Sequence, residues 1–393
     1  MDFRILVIEE GDANYAVYEL CDGEAKCIVN TGVRVNLSPG VSIDLESCDY
    51  GIPLLRRELL RRDVERLRSI VIDADRVAHS GDKLQYVVSG YRALHERKSF
   101  ILFARNESRR MFDVGRFRTS ETYKTSINSF TSFLGGADLL FEDMSQQLIF
   151  DYQSYLKSQG CVKNTISFYM RTLRAIYNRA IAIGSAPDVN LFKKVYVGVY
   201  KTHKRAISIE ELNRIKNLDL SASPHKELAR NIFLFSFYTR GMSFVDIAFL
   251  KRGNLQGGRL VYCRRKTGRE LQMNWENCMQ KIVNKYSKKT SAFLFPFLDD
   301  SSATPLYRQY KNHLRRLNKS LKSIGVLAGV SRRLTMYVAR HTWASVARDC
   351  RVPITVIGEA LGHDSERTTR IYLSSINGEI VDDANRLVIG VLR

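Results

Sequence analysis

Five side chains in the second half of the chain, Arg240, Lys266, Arg340, His363 and Tyr372, have the types and the order that chemistry on a phosphodiester requires. A phenol ionises near a pKa of about 10, so it attacks phosphorus at neutral pH only where cations or hydrogen-bond donors favour the phenolate. The same donors must stabilise the charge that grows on the phosphate oxygens at the transition state. Arginine suits this work, because its guanidinium stays charged and its fork matches two phosphate oxygens. The departing oxygen needs a proton, which a lysine can donate. Such a set calls for no metal and no other cofactor.

The spacing sharpens the reading. Tyr337-x-x-Arg340-His341-Thr342 is followed by Leu361-Gly362-His363, and Tyr372 stands nine positions beyond that histidine. Upstream lie "FYTRGMSFVDIAFL" and "RLVYCRR" and "ELQMNWE" around "KTG", two short strand patterns that predict a hairpin with Lys266 at its tip. Taken singly, each residue has a plainer explanation as a cap, a turn lysine or a surface pair. Taken together and in order, they resemble the active-site boxes of the tyrosine recombinases, the phage integrase family, and the branch carried on conjugative and mobilisable transposons. The resemblance spans about residues 90 to 393.

Carried over by position, it implies that Tyr372 attacks the scissile phosphate, forming a 3′-phosphotyrosyl link and releasing a 5′ hydroxyl. Arg340 would clamp the non-bridging oxygens, and Lys266 would protonate the leaving oxygen. His363 would hydrogen-bond the phosphate or assist Tyr372. A second 5′ hydroxyl could then reseal the strand without ATP. Two positions depart from the family pattern. Tyr337 stands where a histidine is usual, so a phenol would do the work of an imidazole. Ser243 stands at the place of the first arginine, leaving Arg240 or Arg264 to supply the charge, with Arg240 slightly preferred. Ser243-x-x-Asp246 itself reads as a helix N-cap.

These residues need a scaffold, and the chain predicts a mainly α protein with small β elements. Apolar runs at 3–8, 14–20 and 25–29, parted by Gly11-Asp12 and Asp22-Gly23, predict a small opening sheet. After Pro53, Leu55, Leu59 or Leu60, Val64, Leu67 and Val71 recur at helical spacing with arginines opposite. From Gln85 to Gly184 the pattern is helical, with breaks at Gly115, Gly135-Gly136 and Gly160. In its last helix Ile166, Met170, Leu173, Ile176 and Ala180 read as core, while Arg171 and Arg174 are candidates for phosphate contacts. An extended basic stretch containing Lys204 and Arg205 follows, and Ser208-x-x-Glu211 starts a new helix with a capping box.

The expected organisation is therefore an α+β domain over 1–85, a helical core-binding (SAM-like) domain over 86–190, a basic linker over 191–206 and a mixed α/β catalytic domain over 207–393. In similar integrases the first region serves auxiliary arm sites on DNA. The final "ANRLVIGVLR", with Leu387, Val388, Ile389, Val391 and Leu392, either docks on a neighbouring protomer or folds back on its own domain.

Composition narrows the partners. Sixty-one Lys plus Arg against 41 Asp plus Glu leave +20, which points to a polyanion, with double-stranded DNA ahead of a membrane surface. No apolar run approaches the roughly 18 residues that a bilayer span needs. The acids in "MDFRILVIEEGD" do not suit a secretory leader, so the expected location is the cytosol. Seven scattered cysteines form neither zinc-type pairs nor a disulfide framework and read as small buried or incidental thiols.

The expectation is a site-specific recombinase acting on specific duplex sites in integration, excision or inversion. It would synapse them as a homotetramer, with room for an accessory DNA-bending protein. The rival from another class is a regulator without enzymatic activity, because "VPITVIGEALGHDSERTTRIYL" also scans as a helix-turn-helix. A type IB topoisomerase would share the chemistry without needing a partner protomer. A metal nuclease would want a carboxylate cluster, whereas Asp246, Glu270, Glu359 and Asp364 belong to different segments.

Overall fold

Tight turns at Gly11 and Gly23, both in the left-handed region that glycine adopts without strain, fold the first 35 residues into an antiparallel meander. In the computed structural model, which describes residues 1–45, 50–77, 82–198, 200, 206–287, 291–363, 369 and 389, this meander consists of β1 (Asp2–Glu10), β2 (Ala13–Asp22) and β3 (Ala25–Val35). A short β4 (Ser42–Ile43) pairs with the free side of β1, giving the order β3-β2-β1-β4. The register Ile5↔Tyr18↔Val29 directs one alternate set of side chains inward, and Leu6↔Val17↔Asn30 lies on the opposite face.

The inward face packs on helices. In α1 (Leu54–Val77) the spacing read from the sequence holds, since Leu59, Leu60, Val64, Leu67 and Val71 are buried and Leu55 is partly so. α2 (Lys83–Lys98), α3 (Phe100–Asp113), α4 (Phe117–Phe133), α5 (Gln146–Ser158) and α6 (Lys163–Ala182) follow. The break between α2 and α3 carries no glycine or proline. Ser99 makes it, its extended backbone ending one helix while its hydroxyl accepts from Leu102 N at 2.9 Å to cap the next. Ile166, Met170, Leu173, Ile176 and Ala180 of α6 are all buried, at about 1.5–3 kcal/mol for each large side chain.

Sheet and helices from Met1 to Tyr200 form one unit with one continuous apolar core. Residues 191–198 and Tyr200, read as part of a linker, belong to this unit, with Ser167 of α6 donating to the Gly198 carbonyl. Leu191, Phe192 and Val195 are buried in that core, and Asn164 bonds both the N–H and the carbonyl of Tyr200. Backbone meets backbone where β3 reaches the α4 turn: a Cβ on Gly32 would lie 2.7 Å from the Gly136 carbonyl oxygen.

A polar cluster lies inside this unit. Asp63 on α1 accepts from Tyr18 on β2 (2.9 Å), Tyr91 on α2 (2.5 Å) and His95 Nε2 (3.1 Å). His95 Nδ1 meets Asp138 at 2.7 Å, and Asp138 also accepts from Ser99. Burial alone would favour the neutral imidazole, but hydrogen bonds to Asp138 and Asp63 outweigh it and push His95 up to about 9.

The second unit, Lys201–Arg393, has its own core. Its first helix, α7 (Ile209–Asn217), begins with the expected capping box, Ser208 accepting from Glu211 N while the Glu211 carboxylate accepts from Ser208 N. α8 (Pro224–Tyr238), buried throughout Ile232–Ser236, runs through the middle, against α10 (Asn277–Tyr286), α11 (Leu306–Leu327) and α12 (Met336–Asp349). A short α9 (Phe244–Phe249) leads into a three-stranded sheet of β5 (Leu255–Gln256), β6 (Arg259–Cys263) and β7 (Glu270–Asn274). The hairpin was legible; its two-residue third strand was not. α13 (Ile354–Leu361) is the last helix described.

The fold is mainly helical with two small antiparallel sheets, as expected. Among the described residues no helix is long and apolar enough to cross a membrane. The described cysteines are free, and each is half-buried or exposed rather than buried.

Candidate active site

The site grows from a corner at the end of α8. Arg240 and Gly241 both take left-handed backbone angles, φ +58° and +71°, and swing the chain so that the Gly241 carbonyl faces α12. Arg340, buried on α12, donates to it through Nη1 at 2.9 Å. Only glycine allows this approach, for a Cβ at 241 would stand 2.7 Å from Arg340 Cα.

The other Arg340 nitrogen, Nη2, donates to the Leu361 carbonyl and lies 3.2 Å from His363 Nε2. Gly362 ends α13 with φ +64°, a left-handed cap that turns His363 back toward α12. His363 Nδ1 meets Thr369 Oγ1 at 2.9 Å. A guanidinium can only donate, so Nε2 must accept and the ring proton belongs on Nδ1, facing Thr369.

The β6–β7 hairpin grips the same turn. Arg264, also buried, donates through Nη1 to the Gly362 carbonyl, and Arg269 Nη1 donates to the His363 carbonyl at 3.2 Å. Three guanidiniums therefore hold three successive carbonyls, 361, 362 and 363. The Arg264 Nε is buried without a hydrogen-bond partner among the described residues. Arg240, half-exposed, donates to the Gln272 carbonyl on β7 at 3.3 Å instead of to this turn.

Lys266 stands exposed at the hairpin tip, as the sequence predicts. The tip is fixed from below: Gly268 N and Thr267 N donate to the Arg264 carbonyl, and Arg265 N donates to buried Asp246 Oδ1 at 2.9 Å. The Arg265 guanidinium lies 3.9 Å over the Phe249 ring. Ser243 holds the N-cap position of α9, but its hydroxyl donates to the Asp246 carboxylate at 2.5 Å and makes no bond to a helix N–H. The N-cap reading is corrected in that respect: the pair serves the hairpin.

Sequence reasoning missed Asp246 as an anchor, Arg269, Thr369 and Tyr262. Tyr262 is buried on β6; burial, then Asp246, raise its pKa, and the Arg340, Arg264 and Arg240 charges lower it less, so it stays a neutral phenol. Strand alternation, which sets Tyr262 and Arg264 on one face, was the available signal for Tyr262. Tyr337 lies exposed on α12 with its ring edge-on to His341 at 4.7 Å. Arg171 and Arg174 are half-exposed on α6 of the first unit. Tyr372, Lys204, Arg205 and the tail residues Leu387, Val388, Val391 and Leu392 lie outside the described residues; Ile389 is half-exposed.

Buried Arg340 beside His363, and buried Arg264 from the hairpin that carries Lys266, thus meet on the turn at 361–363. Comparison with known proteins gives the family. Residues 99–195 match the phage integrase SAM-like domain, and residues 206–378 match the phage integrase family. The tyrosine recombinase XerD of Bradyrhizobium diazoefficiens is 25% identical over 281 residues, 65% of this chain and 85% of the relative. A lambda integrase dimer bound to a COC' core site shares the fold at TM-score 0.52 and 14% identity, over 94% of both chains. The Tn1549 transposon integrase in complex with transposon right end DNA does so at TM-score 0.53 and 12% identity, over 74% of this chain and 99% of that one.

The chain belongs to the phage integrase family of tyrosine recombinases. Its activity is site-specific DNA recombination. The helix-turn-helix regulator reading leaves unexplained why three arginines, two from the hairpin and one from α12, converge on one turn.

Proposed function

We propose that the chain cleaves and rejoins duplex DNA through a covalent link between Tyr372 and a 3′ phosphate, without metal or ATP. The Tyr372 phenol oxygen bonds to phosphorus, the bond to the 5′ oxygen breaks, the phenol proton passes to His363 Nε2 as the Arg340 guanidinium turns from that nitrogen to the phosphate, and Lys266 protonates the departing 5′ oxygen. Arg340 and Arg264 hold the non-bridging oxygens. The convergence of Arg340, His363 and Arg264 on residues 361–363 carries this reading. It favours Arg264 over Arg240 as the stand-in for the arginine that Ser243 replaces, because Arg240 is turned to β7. Tyr337, exposed at the N-terminal end of α12, donates a hydrogen bond to the phosphate.

Arg171, Arg174, Lys204 and Arg205 contribute phosphate contacts that position the duplex. Four copies synapse two specific sites, with an accessory DNA-bending protein where the sites are spaced apart. The transposon-borne branch is the best-supported setting, given the quoted boxes and the fold shared with the Tn1549 integrase.

The test is a nicked recognition-site duplex that loses its short 5′ hydroxyl fragment on cleavage, run on a denaturing gel. A protein–DNA adduct forms with the natural chain and vanishes in Tyr372→Phe. Arg264→Lys should lower adduct formation by roughly 10²-fold, the scale for losing one oxyanion donor, and Arg240→Lys by far less. Tight binding with no adduct in the natural chain would overturn the reading and favour a regulator.

A further inference from the structure

The N-terminal sheet has the wrong charge for the DNA role that its position suggests. Residues 1–45 carry eight acids (Asp2, Glu9, Glu10, Asp12, Glu19, Asp22, Glu24 and Asp44) against three bases (Arg4, Lys26 and Arg34), a net of −5 in a chain of +20. The acids cluster at the two ends of the meander. Exposed Glu9, Glu10 and Asp12 surround the β1–β2 turn, and Asp22 with exposed Glu24 brackets the β2–β3 turn. A duplex laid along the outer face would bring its phosphates against both tips. Like charges so juxtaposed cost affinity, and each withheld cation forgoes counterion release.

Between the tips the outer face carries half-buried Leu6 and Ile8 of β1 and Ile28 of the edge strand β3, 54% exposed, beside the Arg4–Glu19 ion pair and Asn30; Val17 beneath them is fully buried. Apolar side chains interspersed with a charged pair and bordered by acids have the mixed composition of a non-obligate protein contact. The sheet is also held fast. Arg34 N donates to the Gly135 carbonyl at 3.1 Å, and Tyr18 reaches through its inner face to Asp63. It is thus a fixed platform on the helical unit rather than an arm free to search for distant DNA.

We propose that the outer face of the β1–β2–β3 meander docks on a cationic surface of a second copy of this chain. Charge complementarity selects that occupant: outside residues 1–45 the chain is more basic than its total of +20. The proposal rests on the recombinase reading only in needing several copies on one DNA. It replaces the auxiliary arm-site role expected for this region.

Light and heavy-isotope full-length chains, mixed on a random-sequence duplex several footprints long, would be treated with a zero-length carboxylate–amine cross-linker. Mixed-isotope peptides joining Glu9, Glu10, Asp12 or Glu24 to lysines of the other copy are expected. In the Glu9→Gln, Glu10→Gln, Asp12→Asn, Glu24→Gln chain, whose amides cannot couple, the mixed-isotope links from the remaining sheet carboxylates Asp2, Glu19 and Asp22 should fall about tenfold, since rim charges govern encounter more than fold. That chain should keep its circular dichroism and its adduct formation on nicked DNA, so failure of the docking idea and failure of the catalytic reading are separate results. Cross-links only within single-isotope chains, or ultraviolet cross-links from this sheet to DNA, would overturn the proposal.

Discussion

Gly241 shows how a residue without a side chain fixes one with a great deal of chemistry. Its left-handed φ and the 2.7 Å gap that a Cβ would leave to Arg340 Cα let a backbone carbonyl seat the guanidinium. Gly241→Ala should therefore cost about 2 kcal/mol or more in chemical denaturation. It should reduce cleavage further than stability alone accounts for, because Arg340 is displaced; adduct formation at equal folded concentration checks this. Lys266 differs, being exposed at the hairpin tip, and the role proposed for it is reactivity rather than structure. Lys266→Ala should slow cleavage while sparing binding, and a 5′-thiol leaving group, which needs no proton, should restore the rate. A variant that stays slow on the thiol substrate removes Lys266 from the acid role.

At the scale of elements, the β6–β7 hairpin and α9 act together. Asp246 ties Ser243 to the Arg265 N–H, so the serine that interrupts the family's arginine pattern has a structural task at the base of the lysine-bearing tip. In the first unit the corresponding joint is His95, clamped between Asp63 on α1 and Asp138 after α4. Its pKa of about 9 lies above the usual value of about 6.5, so folding takes up a proton between those values. Its contribution to stability is complete below about pH 6.5 and is lost as pH rises through about 9, a span worth roughly 3 kcal/mol. Thermal unfolding of the natural chain followed from pH 6 to 10 should show this decline, and His95→Gln should flatten it.

For the whole molecule, the +20 charge is unevenly spread, with an acidic sheet on an otherwise basic chain. Affinity for duplex DNA should fall linearly with the logarithm of salt concentration, since each neutralised phosphate releases counterions. Neutralising Arg171 and Arg174 together should make that slope shallower; an unchanged slope would remove α6 from the DNA surface.

What the sequence determined by itself is local and periodic. Helical spacing set the buried face of α1 and α6, the Ser208–Glu211 box started α7, and the strand patterns around "KTG" placed Lys266 at a tip. The order of basic and phenolic residues supplied the chemistry that is proposed for the site. Tertiary structure alone decided which side chains meet. Arg264 and Gly362 are 98 positions apart, and Arg340 and Gly241 are 99 apart, so no periodicity links them. The joining of sheet and helices into one unit likewise depends on Gly32 meeting Gly136 and on a histidine held by two distant aspartates. Hydrogen bonds of that range follow from how α8, α12 and the hairpin pack, and packing is a property of surfaces that the order of residues does not display.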